Sequence, residues 1–139
     1  MQTFLPYPDF EKTAKVLDYR RLGKQRVETK QILMALNGQT KGWVNHPATK
    51  MWAGHERALA EYGLQMCTEW KSRGYKDTLT EFFLERIEDD GCTGALPVWF
   101  GMGELHQSHQ SNLVRKDREF YGPLFPGVPD DLPYIWPEP

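Results

Sequence analysis

An all-α fold is predicted by three observations on this 139-residue chain. Apolar residues recur at spacings of three and four along most of its length, strand-type alternation is nearly absent, and start and stop signals bracket each periodic stretch. The expected architecture is a compact single-domain bundle of about four helices covering residues 1–139, with an extended N-terminal arm and a proline- and aromatic-rich C-terminal strap. The arm is Met1 to Asp9, which carries Pro6 and Pro8. Helix one is expected from about Glu11 to Leu36, ending at Asn37-Gly38, where glycine takes the left-handed backbone that a helix terminus favours. Pro47 suits the first turn of helix two, and Trp52, His55, Leu59, Tyr62, Met66 and Trp70 then form its apolar stripe as far as Arg73-Gly74. Thr78 and Glu81 have the spacing of a capping box for helix three, which buries Leu79, Phe82, Phe83 and Ile87 and closes at Gly91. A glycine-containing loop anchored by Trp99 and Phe100 leads to helix four, about Glu104 to Phe120. Six of the ten prolines fall in residues 123–139. Phe125, Tyr134 and Trp136 among them favour a strap laid over the helices rather than a disordered tail.

Composition narrows the function classes. A net charge of −2 and a pI near 6.1 argue against a whole-surface polyanion magnet, so nucleic-acid binding has to use local patches. The two cysteines, Cys67 and Cys92, form no CxxC and belong to no metal-type cluster, which argues against a disulfide framework, a structural zinc site or a bound metal. No cofactor is expected. With no stretch of roughly 20 apolar residues, no membrane span is expected either, and the chain reads as cytoplasmic with no obligate protein partner evident.

Chemistry concentrates between Leu17 and Glu28. At about 100° per residue, Arg20, Arg21, Lys24, Glu28 and Gln31 share one arc of a helix whose opposite side is apolar. Such crowding suits an anion, although a solvated helix face is the commoner meaning of a charge run. Gly23, unfavourable mid-helix, points to close approach of a backbone or ligand. Arg20, Lys24 and Arg26, with Arg115 and Lys116 on helix four, are the candidate phosphate contacts. His106, His109 and Asn112, on so polar a helix, are candidates for meeting a base. His46 reads as a helix cap, and one of Trp43, Trp52 and Trp99 is a candidate stacking platform, with core packing the likelier use of each.

Several segments carry a resemblance. Tyr19-Arg20-Arg21-Leu22, followed by a helix breaker in Gly23-Lys24, is similar to the first long helix of the pyrimidine-dimer DNA glycosylases, also called endonuclease V. Glu69 to Tyr75 resembles the close of that family's second helix, and Phe120-Tyr121-Gly122 its C-terminal aromatic segment. Residues 17–28, 45–52, 108–117 and 132–137 resemble more closely a set of bacterial and phage proteins grouped with the family by similarity. The resemblance implies a small all-helical enzyme in which an N-terminal threonine amine attacks the sugar C1′ of a damaged pyrimidine nucleotide. A Schiff base forms and β-elimination cuts the strand, with a glutamate handling protons and arginines holding phosphates. Two positions depart from that pattern. Gln2 replaces the threonine, leaving Met1 to offer the amine, and Arg21 stands where the glutamate would be. Arginine cannot supply that acid, because it stays protonated. Glu28, on the same helix face, is the natural replacement. The catalytic candidates are therefore Met1, Arg21 and Glu28. The expected function is a DNA glycosylase, with or without AP lyase activity, acting on a damaged or modified pyrimidine. An enzyme on the same scaffold acting on a free nucleotide or hypermodified base, and a non-catalytic DNA-binding module, are the alternatives.

Overall fold

A computed structural model describes residues 1–89 and 95–138. Asp90, Gly91 and Cys92, and with them the expected end of helix three, lie outside the described residues. Among the described residues there is no strand, and seven helices replace the expected four: α1 (Phe10–Val16), α2 (Tyr19–Leu36), α3 (Pro47–Lys50), α4 (Glu56–Ser72), α5 (Thr80–Asp89), α6 (Gly103–Lys116) and α7 (Arg118–Tyr121). None is long and apolar enough to cross a membrane.

Two expected helices are broken. The first divides at Leu17, whose extended backbone ends α1, and at Asp18, whose carboxylate caps α2 by accepting from the Arg21 amide at 3.3 Å. The break is pinned from a distance, since the Tyr121 hydroxyl accepts from the Asp18 amide at 2.9 Å and donates to the Asp18 carboxylate. Burial alone would raise the Asp18 carboxyl, yet the bonds from Tyr121 and Arg21 outweigh it and hold the group below its ordinary value. The second helix divides at Gly54, whose φ of +82° turns the chain between α3 and α4. Asn37-Gly38 ends α2 as expected, with the Gln39 amide closing back on the Met34 carbonyl at 2.8 Å. Asp77, not the Thr78 and Glu81 pair, caps α5 by accepting from the Leu79 and Thr80 amides at 3.1 and 2.8 Å.

The main packing joins α2 to α4, and α4 also receives α1 and α5. Small residues set these distances. A Cβ on Gly23 would lie 3.1 Å from the Trp70 ring, and one on Gly63 would lie 2.4 Å from Phe83. The Gly23 approach is thus to an indole across the α2–α4 contact. Trp52 and Trp99 meet edge to face in the core at 5.0 Å, while Trp43 stays half exposed. Burial pushes the Cys67 thiol up to about 12, leaving it inert.

The arm is the least ordinary element. Thr3, Phe4 and Leu5 are buried, so their peptide groups need partners inside the protein. Gln25 of α2 supplies several, accepting from the Phe4 amide at 3.0 Å and donating to the Gln2 carbonyl at 3.0 Å. Across the arm, α6 does the same for Leu5 and Pro6. His109 Nδ1 accepts from the Leu5 amide at 2.9 Å, His106 Nδ1 donates to the Leu5 carbonyl at 2.7 Å, and Gln110 donates to the Pro6 carbonyl at 2.7 Å. Much of the polar character of α6 serves these bonds. It is a buried helix whose side chains satisfy an extended segment rather than an exposed helix awaiting a ligand. The strap crosses α6 too, with the Leu132 and Ile135 amides donating to the Ser111 and Ser108 hydroxyls and Tyr134 stacked on His109 at 4.5 Å.

Candidate active site

Where the arm ends against α2, a cavity of about 1050 Å³ opens to the surface. Met1, Arg21, Lys24 and Glu28 line it together, with His46, Lys116 and Trp136 brought from elsewhere. The arm carries Met1 to the polar arc of α2 because Gln25 latches it there. With its amide nitrogen Gln25 also donates to Glu28 at 3.0 Å, and its oxygen takes a bond from the buried Tyr62 hydroxyl at 2.6 Å. Every polar atom of this side chain is therefore committed, and it is 1% exposed. Gln25 is the site residue that sequence reasoning misses. A glutamine between two cations on a helix gives no signal of burial, and its partners lie on the arm and α4.

Glu28 is oriented by Gln25 and lies 3.5 Å from the Gln2 amide, while no ion pair joins it to Lys24 among the described residues. Its carboxylate consequently sits beside the start of the chain instead of being spent on its helical neighbour. Arg21 is half committed, bonded to Asp18 at 3.1 Å. Lys24 and Lys116 have no hydrogen-bond or ion-pair partner among the described residues, and Arg20 is exposed with a single bond to the Tyr19 hydroxyl. These three cations can meet an anion without breaking anything. A second hollow of about 540 Å³, lined by Arg20, Lys24, Glu28 and Trp70 among others, continues along the same helix face.

The other expected contacts are placed differently. Arg26 turns inward, 8% exposed, and pairs with Asp77 at 2.6 Å while lying over the Trp70 ring. The Asp77 carboxyl, which burial would raise, is brought down to about 2 by the bonds from Thr80 and Arg26. A guanidinium so used is structural, and a phosphate would have to compete with a buried carboxylate for it. Arg115 donates to the Asp130 and Leu132 carbonyls at 2.7 and 2.8 Å, and so ties down the strap. His106, His109 and Asn112 do not line the cavity. The two rings are buried against the arm, and burial, joined by the neighbouring His106, lowers His109 to about 3. Among the described residues no group of His, Cys, Asp and Glu could hold a metal ion.

Comparison with known proteins adds one match. Residues 1–81, more than half of the chain, match the family model described as pyrimidine dimer DNA glycosylase. Neither the curated proteins nor the solved structures contain a match. The matched part includes the arm, Arg20 to Glu28 and His46, whereas Lys116 and Trp136 lie beyond it.

Proposed function

Because the chain belongs to the pyrimidine dimer DNA glycosylase family, we propose that its cavity removes a damaged pyrimidine from DNA through a covalent bond to the Met1 α-amine, and then cuts the strand. The observation that carries this reading is the convergence of Met1, Glu28 and Arg21 on one cavity beside unpaired cations. An N-terminal amine is a nucleophile able to form a covalent bond to carbon and then an imine.

The Met1 nitrogen forms a bond to C1′ as the bond from C1′ to the base breaks, the electron pair leaving with the base. The nitrogen then gives up a proton, the C1′–O4′ bond opens with O4′ taking one, and an imine remains. Glu28 stabilises the cationic sugar and carries that proton between the two atoms. Loss of a C2′ proton to the same carboxylate expels the 3′ phosphate, and water hydrolyses the imine to restore the amine. Arg20, Lys24 and Lys116 hold phosphates, and Arg21, steadied by Asp18, completes the positive rim.

Borohydride trapping on a duplex oligonucleotide carrying a pyrimidine dimer tests the reading, because it reports the imine and its DNA partner together. Glu28→Gln is expected to lower the rate of glycosidic-bond cleavage at least about 100-fold while changing stability by less than about 1 kcal/mol. Early melting, or normal turnover, would return Glu28 to a structural role. Cation substitutions separate in the same assays. Lys24→Ala should flatten the salt dependence of DNA binding by about one unit of slope, whereas Arg26→Ala should destabilise the fold by about 3 kcal/mol by stranding buried Asp77. An unchanged slope in Lys24→Ala removes that side chain from the phosphate contacts.

A further inference from the structure

We infer that His46 is a further catalytic residue of the reaction proposed above, an N–H donor to O2 of the pyrimidine whose glycosidic bond breaks. The inference rests on that reading of the cavity, which His46 lines together with Met1 and Glu28.

The ring's tautomer follows from its cap bond. His46 Nδ1 accepts from the Ala48 amide at 3.0 Å at the start of α3, so in the neutral ring the proton is on Nε2. The atom left for a ligand is therefore a donor and cannot take a proton from the Met1 amine. Burial and the N-terminal cation lower the ring's affinity for a second proton, with Glu28 acting the other way, so the neutral form persists at neutral pH.

Two indoles hold this ring edge to face. Trp43 lies 5.5 Å from it and Trp136, arriving on the C-terminal strap, 5.7 Å from it on interplanar angles of 73° and 85°. Trp43 is also the one non-glycine residue at positive φ among the described residues, at +67°, and its carbonyl accepts from the His46 amide at 3.1 Å. Strain of this kind persists where surrounding structure enforces it, and it concentrates at functional sites. Here it fixes the direction of one imidazole. A helix cap alone needs no such clamp, since asparagine, aspartate or serine caps as well on a flexible side chain.

The chemistry suits the leaving base. As the C1′–N1 bond breaks and the Met1 nitrogen bonds C1′, the electron pair on N1 spreads onto O2, the carbonyl oxygen still conjugated with N1 when the C5–C6 bond is saturated. A fixed donor at this oxygen binds more tightly as charge develops, which lowers the barrier rather than merely holding substrate. Once its glycosidic bond is broken the base takes a proton from water, and in a cyclobutane dimer it stays joined to the neighbouring pyrimidine. A neutral donor also leaves the phosphates to Lys24 and Arg20.

Two substrates separate this role from the others: a duplex with a cyclobutane pyrimidine dimer, and the same duplex with a preformed abasic site, where no base has to leave. His46→Asn retains an oxygen for the Ala48 amide. It should slow glycosidic-bond cleavage in the dimer duplex about 100-fold yet leave borohydride trapping at the abasic site within about twofold of wild type. Equal losses on both substrates would mean that His46 serves the amine or the fold, and no loss on either would make it a cap only. Either result overturns the inference. If His46→Asn melts early, His46→Ser, which caps comparably, decides by the same comparison. A wild-type protein that traps neither substrate refutes the covalent mechanism itself, an outcome distinct from a His46 variant that fails to discriminate.

Discussion

Acetylating the Met1 α-amine, or adding a single residue ahead of it, is expected to abolish borohydride trapping while leaving DNA affinity nearly unchanged. The two effects separate because they arise from different groups. An acylated nitrogen has delocalised its lone pair and cannot attack C1′, and an added residue moves the amine away from Glu28. In the proposed reading Arg20, Lys24 and Lys116 hold the phosphates, and the modification leaves these side chains untouched. Gln2 carries no nucleophile, and Lys24 is exposed on the polar arc, where its side chain is placed to meet an anion. Trapping and binding measured on the same preparations provide the check. If a blocked terminus still releases base at the normal rate, the covalent route is wrong and direct attack by water becomes the better account.

Stability is expected to decline on acidification earlier than carboxylate protonation would explain. His109 binds its proton near pH 3 in the folded protein and near 6.5 in the unfolded chain. Between those values the unfolded state takes up a proton that the folded state refuses, so this contribution is absent above about pH 6.5 and grows as pH falls towards 3. The loss amounts to about 2 kcal/mol by pH 5. His106, also lowered by burial, acts in the same direction. Asp77 joins only below about pH 4, because a carboxyl held near 2 contributes its stabilisation above the unfolded value and loses it as pH falls through the folded one. Urea unfolding at pH 7.5 and 5 measures the difference. His109→Gln, which keeps an acceptor for the Leu5 amide, should recover most of the early loss. If its stability falls as steeply as that of the unmodified chain, the histidine is not the source.

Helical periodicity made the α-class, the end at Asn37-Gly38 and the buried stripe of Leu59, Tyr62 and Met66 legible, because each depends on residues within a few turns. The polar arc of α2 was legible for the same reason. The breaks at Asp18 and Gly54 were not. Asp18 can cap a helix or sit within one, and Tyr121, 103 residues away, selects the former. The histidines of α6 misled for a related cause. Polar residues at helical spacing look like a site awaiting a ligand until the buried arm that occupies them is known.

Residue type and local spacing suffice to specify a helical protein whose cations, carboxylate and N-terminal amine could serve one reaction. Which of them meet depends on contacts between distant segments. Arg20, Lys24 and Arg26 carry the same charge on one helix, yet a buried Asp77 claims Arg26 and leaves Lys24 free. Met1 shares a cavity with Glu28 only because Gln25 of α2 and His106 and His109 of α6 together satisfy the peptide groups of an arm that buries itself between them. A buried backbone must find its partners wherever the fold puts them, and no local pattern encodes those partners.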